Sequence, residues 1–117
     1  MKSKAAAAFA VTAKTDALVL FRTADKRALK EISVPDAALQ EAARAAIADG
    51  EFGGGAGETL YLRGGRDGRR LLVVGCGESA SGDALRQAGA TAAQTLDKKG
   101  LARATFLMSG EDDDARA

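Results

Sequence analysis

Apolar residues occur along the chain in short runs that are separated by polar or glycine-rich stretches, a pattern typical of β-strands. The run at residues 17–21 is continuous enough to be buried on both faces of a sheet. Two further runs flank the glycine-rich residues 64–68, which predict a hairpin and therefore an antiparallel pair. About five strands are predicted, at residues 8–12, 17–21, 59–62, 71–74 and 105–108.

Two segments have the apolar spacing of amphipathic helices. The first begins near Ser33 or Asp36, because either side chain can accept hydrogen bonds from exposed N–H groups and Pro35 lies where no N–H is needed. Gly50 and Gly100 suit the positions just after the two helices. The predicted helices and their apolar faces are residues 33–49 (Leu39, Ala43, Ala46, Ile47) and residues 81–99 (Leu85, Ala88, Ala92, Leu96).

The order of these elements predicts an α/β domain. Residues 71–108 form a strand–helix–strand unit, a right-handed crossover that implies parallel neighbouring strands. Residues 25–32 are polar and predict a loop or a poor helical turn. Residues 1–110 are therefore expected to fold as one layered domain, a mixed sheet flanked by helices. Residues 111–117 are acidic and polar and are expected to be a disordered tail.

The composition limits the chemistry that the chain can perform. It has 117 residues, 17 basic and 16 acidic, and a net charge of +1, so no strong field attracts nucleic acid or an anionic membrane. Histidine is absent, which removes the commonest general base and the usual zinc ligand. The single cysteine cannot form an internal disulfide and fits a reducing compartment. The composition therefore excludes Ser–His and Cys–His catalytic pairs within this chain.

The N-terminal residues leave two interpretations open. Residues 1–4 are basic and are followed by an alanine-rich segment, which weakly resembles a secretory signal peptide. Alanine makes a poor hydrophobic segment, however, and Phe9 and Val11 alternate as in a strand. No apolar run approaches the ~20 residues needed to span a bilayer. We expect a cytoplasmic protein.

Four stretches, in this order, resemble the N-terminal domain of the leucyl (cytosol) aminopeptidase family. They are DALVLF at residues 16–21, DGEFGGGAGET at 49–59, RLLVVGCGE at 70–78 and LRQAGA at 85–90. Their order and separations are similar to those of the family across about residues 8–110. Each stretch is weakly specific alone, because many α/β proteins have a strand that ends in Val-Val-Gly-x-Gly, but together they are moderately specific.

The resemblance implies a macro-domain-like fold within a two-domain enzyme that assembles as a hexamer. It also implies that two divalent metals, manganese or zinc, are held by a lysine and carboxylates of a C-terminal domain and activate water for removal of N-terminal residues from peptides. No counterpart of that domain is present, so no catalytic or metal-binding residue is assigned here, and residues 111–117 are expected to begin the linker to it. The expected partners are the catalytic domain, neighbouring subunits and further copies of the chain.

Residues 75–80, with the sequence GCGESA, lie between a predicted strand and a predicted helix and match a glycine-rich phosphate-binding pattern. A small module that binds ADP-ribose or another nucleotide is therefore the alternative function, with Gly75, Gly77, Ser79 and Ser81 as candidate binding residues. The other interpretation is a tight turn that leads into the helix. No acidic residue follows on the next strand, as the dinucleotide pattern requires.

The remaining candidates have simple structural interpretations. Residues 53–57 are glycine-rich but lack the lysine and hydroxyl of a P-loop, so we expect a flexible connection, with Glu58 as a strand-start residue. Cys76 is expected to be a small buried residue rather than a reactive thiol. Tyr61 is expected to be half-buried in the sheet. The arginines of the hairpin, expected to lie at a solvated tip, are Arg63, Arg66, Arg69 and Arg70.

Overall fold

A computed structural model describes residues 16–101 and 103–107, without the side chain of Asp67. The predicted strand at residues 8–12, the end of the last predicted strand at Met108 and the tail at residues 111–117 lie outside the described residues. The described elements are β1 (Ala17–Thr23), α1 (Lys26–Lys30), α2 (Ala37–Ala48), β2 (Thr59–Leu62), a 3-10 turn (Arg66–Gly68), β3 (Arg70–Gly77), α3 (Gly82–Lys98) and β4 (Ala104–Leu107).

The four described strands form one mixed sheet in the order β2-β3-β1-β4. β1 is parallel to both β3 and β4, and β2 is antiparallel to β3, so the predicted α/β class and hairpin are confirmed. The prediction that the crossover through α3 joins parallel strands is confirmed, but the prediction that these strands are neighbours is wrong, because β1 lies between them. About five strands were predicted, and the described residues contain four. The other predicted strand, at residues 8–12, lies outside the described residues.

Each face of the sheet has its own apolar cluster. Alternate residues of β1 point to opposite faces, so Leu18 and Leu20 pack with α1 and α2, whereas Ala17 and Val19 pack with α3. β3 is buried over most of its length, as expected of a strand that is covered on both faces. The α3 cluster contains three alanines of the helix and sheet, so backbone and helix lie close together on that side.

The first long helix begins at the second of its two predicted caps. Asp36, rather than Ser33, is the N-cap, and its Oδ1 accepts from the N–H of Leu39 at 3.1 Å. Just before this cap, the N–H of Val34 donates to the side chain of Gln40 at 2.9 Å. The side chain of Gln40 thus provides an acceptor for an N–H group that lies before the helix.

The apolar faces predicted for both helices are largely confirmed, with one exception. Leu85 was predicted to lie in the apolar stripe of the second helix, but it is 41% exposed. It lies in the first turn of α3 and does not join the cluster that holds Ala88, Ala92 and Leu96. The polar segment after β1 forms the five-residue helix α1, which is capped by Asp25 and held by the buried side chain of Leu29.

Candidate functional site

The carboxyl ends of the parallel strands β1 and β3 meet the glycine loop, which we define as residues 51–58. Ligands of open α/β sheets bind at this kind of edge. The backbone of the loop is tied to β3 by three hydrogen bonds: Gly77 N–H to Gly54 O at 2.9 Å, Gly75 N–H to Glu58 O at 2.8 Å and Gly57 N–H to Gly75 O at 3.3 Å. The loop has no regular structure, as predicted, but it is not the free connection that its glycine content suggested.

Two glycines are required where the loop meets the strands. A Cβ atom on Gly75 would lie closer than 3.0 Å to the backbone of Gly54 and Gly55, and one on Gly54 would collide with the backbone of Thr23. Gly54 also has a φ of 78°, which side chains rarely allow. Backbone therefore packs directly against backbone at this edge of the sheet.

Glu58 anchors the glycine loop. Its carboxylate accepts hydrogen bonds from the N–H groups of Gly53, at 3.2 Å, and Gly55, at 2.9 Å. Phe52, at the start of the loop, is 1% exposed in the cluster beneath α2. A polar anchor and an apolar anchor thus offset the conformational entropy that this glycine-rich segment loses on folding. The prediction that Glu58 precedes a strand is confirmed, since β2 starts at Thr59.

The structure separates the four candidate phosphate-binding residues into two groups. Gly75 and Gly77 are part of β3, and the space in front of Gly75 is occupied by the backbone of the glycine loop. Ser79 is exposed in the connection to α3, and Ser81 caps that helix by accepting from the N–H of Ala84 at 3.2 Å. The strand therefore extends further than the pattern of a phosphate-binding turn requires. Binding at these residues stays a prediction.

A small cavity of about 150 Å³ lies between the glycine loop and α3. Gly57, Gly75 and Cys76 line one side, and Ala88 and Thr91 line the other. Pockets for cofactor-sized ligands usually have volumes of about 300–1,000 Å³. This cavity is therefore too small for ADP-ribose with the loop in its present position.

Cys76 lies in β3 and is 5% exposed. Burial raises the pKa of its thiol, and the positive charge of Arg22 opposes that shift only in part. The thiol is therefore held in its neutral form, which is the poor nucleophile. The prediction of a small buried residue is confirmed.

The four hairpin arginines do not form a uniformly solvated tip. Arg63 and Arg66 are exposed, but Arg70 is half-buried and Arg69 is only 8% exposed. Arg69 follows the 3-10 turn and its charge acts on the carboxylate of Asp36. The expectation of a solvated tip is therefore wrong for Arg69, because this side chain is buried and its positive charge stabilises the buried carboxylate of Asp36.

Tyr61 is half-buried in β2, as predicted. The ammonium group of Lys99, just after α3, lies 4.3 Å from the centre of its ring. This distance is within the range of a cation–π interaction. The contact joins the end of α3 to the edge strand of the sheet, and it has no catalytic geometry.

Sequence reasoning missed a second feature, a cleft of about 400 Å³ between α1, the end of α2 and the glycine loop. We call it the basic cleft. Its apolar lining residues are Ala24, Leu29, Ile47, Ala48 and Phe52, its glycines are Gly50 and Gly53, and its cationic residues are Lys26, Lys30 and Arg44. The spacing of four between Lys26 and Lys30 was the signal that could have found it, but only if the segment had been predicted as a helix.

A metal-binding cluster and a membrane-spanning helix are both absent from the described residues. In that part of the chain no three His, Cys, Asp or Glu side chains are grouped so that they could hold a metal ion. None of the helices within the described ranges is long and apolar enough to cross a membrane.

Comparison with known proteins gives one match. The sequence model described as "Cytosol aminopeptidase family, N-terminal domain" matches residues 17–117. This range includes every described helix and strand. None of the curated proteins with which the chain was compared matches it.

Proposed function

Because the chain belongs to the cytosol aminopeptidase family as its N-terminal domain, we propose that it is an accessory domain rather than a peptidase by itself. In this role it packs beside a catalytic domain, contributes contacts between subunits and shapes access to the active site. The family match over residues 17–117 carries the proposal. The cytoplasm is the location that we propose for it.

The side chains of the described residues do not fit a pair of divalent metals. Metal-activated hydrolysis needs several carboxylate, histidine or similar ligands around one point. No such group exists among the described residues, and the whole sequence has no histidine. We therefore derive no hydrolytic step for this chain and place the metals of the parent enzyme, manganese or zinc, in its catalytic domain.

The α3 face of the sheet supports a docking role. Phe106 of the edge strand β4 is 41% exposed, and its ring lies 5.9 Å from that of Phe21 on the neighbouring strand. Together, Phe106 and Phe21 form a small apolar patch, which supports the proposal that another domain or subunit covers this edge.

A peptidase assay tests the accessory role. We expect the purified chain to hydrolyse leucine p-nitroanilide no faster than the buffer, with manganese or zinc added, because the described residues contain no group of side chains that could hold a metal ion and activate water. A complete two-domain member of the family serves as the positive control. Metal-dependent turnover that co-purifies with the chain and changes with substitutions in it would show that the chain is an enzyme.

A further inference from the structure

The basic cleft has three cations and no acidic lining residue. Within the described residues, the one ion pair joins Arg86 to Asp83, so no carboxylate of that part pairs with Lys26, Lys30 or Arg44. Arg44 is held in position by its Nε, which donates to the carbonyl oxygen of Ile32 at 3.2 Å.

The three positive charges that line the cleft repel one another weakly, and a bound anion would relieve this repulsion. Lys26 and Lys30 are one helical turn apart on α1, and like charges at this spacing repel each other. Arg44, from α2, adds a third positive charge to the same opening. Between them the cleft presents the apolar side chains of Leu29 and Phe52. Its chemistry is therefore suited to a short acidic segment of polypeptide.

The topology of the sheet brings one such segment to the cleft. β4 is parallel to β1, with Ala17 paired to Ala104 and Leu20 to Leu107, a constant offset of 87 positions. Leu107 pairs with Leu20, and Ala24, four positions after Leu20, lines the cleft. Leu107 also packs against the cluster that contains Leu29 and Phe52. The chain therefore leaves β4 at the edge and on the face of the sheet where the cleft opens.

Residues 111–114 have the sequence EDDD, the longest acidic run in the chain. We propose that this run occupies the basic cleft of its own chain, its carboxylates facing Lys26, Lys30 and Arg44. Four residues of extended chain reach at most about 14 Å, which matches the four positions between Leu20, the partner of Leu107, and Ala24 of the cleft. Each exposed ion pair is weak, but the short tether gives the run a high local concentration at the cleft.

Backbone amide NMR of the full chain tests the proposal. We compare the wild type with the variant E111Q/D112N/D113N/D114N at low salt. The expected result is a set of shift changes in α1 and in residues 44–53, which disappears when salt is raised to about 0.5 M and the charges are screened. The control variant E78Q/D83N/D97N removes three acids that do not line the cleft and is expected to leave those resonances unchanged.

Charge reversal provides the second measurement. K26E/K30E is expected to release the run and D112K/D113K in the same chain to restore it, which no general loss of stability would produce. Shift changes confined to the run and β4 would overturn the proposal. Changes that appear only when unlabelled wild-type chain is added to the labelled neutralised variant would assign the cleft to a second copy and would also overturn it.

Discussion

Asp36 joins two segments that are 30 residues apart in the chain. Its Oδ1 caps α2 through the N–H of Leu39, while its Oδ2 accepts from the N–H of Arg66 at 2.7 Å. Burial alone raises the pKa of this carboxyl, but the two N–H groups and the charge of Arg69 outweigh that effect and hold the pKa below its ordinary value of 3.8. One carboxylate therefore fixes the position of the hairpin against the helix.

This geometry predicts a pH-dependent loss of stability in the substitution Asp36→Asn. An amide cannot accept both bonds, so we expect the free energy of unfolding at pH 7 to fall by about 1–3 kcal/mol. Because the folded pKa is lowered, the contribution of Asp36 is complete above the unfolded pKa and is lost as pH falls through the folded one. Urea unfolding across that range should show the two proteins converging below pH 3.8.

The matched control is Asp83→Asn. Asp83 is an exposed acid at the start of α3 that pairs with Arg86 on the surface. Its loss should cost less than about 1 kcal/mol, since surface ion pairs contribute little. An equal loss in both variants would contradict the role that we assign to Asp36.

Gly75 predicts a large effect from a single methyl group. In Gly75→Ala the new Cβ would meet the backbone of Gly54 and Gly55, which cannot move without breaking the hydrogen bonds between the loop and β3. We expect a loss of about 3 kcal/mol or more in unfolding free energy. Gly82→Ala is the control, because its Cβ would meet nothing within 4 Å, and it should be neutral or slightly stabilising. Similar midpoints in chemical denaturation would show that the loop yields easily.

At the level of elements, the position of the glycine loop favours a packed edge of the sheet over a phosphate-binding turn. The sequence predicts a phosphate-binding pattern at residues 75–80, and the structure places the backbone of the loop in front of Gly75. We therefore expect titration calorimetry with ADP-ribose to show no binding heat. A saturable signal that is reduced in Ser79→Ala and Ser81→Ala would instead support the nucleotide-binding module.

The strands and helices could be predicted because their signals are local. The apolar run at residues 17–21 and the hairpin glycines near residue 65 need no information from distant parts of the chain. The position of β1 between β3 and β4 could not be predicted in this way, since register and neighbours are set by contacts across the sheet. The exposure of Leu85 has the same cause, because the period of a helix does not show where its partner surface ends.

The candidate site was predictable only as a composition. Residues 53–57 were recognisable as a glycine segment, but the bonds from Gly53 and Gly55 to Glu58 depend on how the segment folds back. The two lysines of the basic cleft had a local signal in their spacing, but the contribution of Arg44 was not predictable, since it comes from a different helix. Features of this kind arise where elements meet, and no single stretch of sequence contains them.

At the scale of the whole molecule, the apolar edge around Phe106 predicts self-association of the isolated chain. Among the described helices, α3 packs on that face of the sheet, and Phe106 is 41% exposed beside Phe21. Without a catalytic domain, a second copy is the available cover for this surface. We expect light scattering at high protein concentration to give a mass above that of the 11.9 kDa monomer.

The substitution Phe106→Asp should shift that equilibrium toward the monomer, since it places a charge in the surface that must lose water on association. Leu85→Asp is the matched control, because Leu85 is as exposed as Phe106 but lies on α3 instead of the sheet edge. If the edge is the interface, Phe106→Asp has the larger effect. A wild-type chain that stays monomeric, or equal effects of the two substitutions, would mean that the edge around Phe106 is not a self-associating surface.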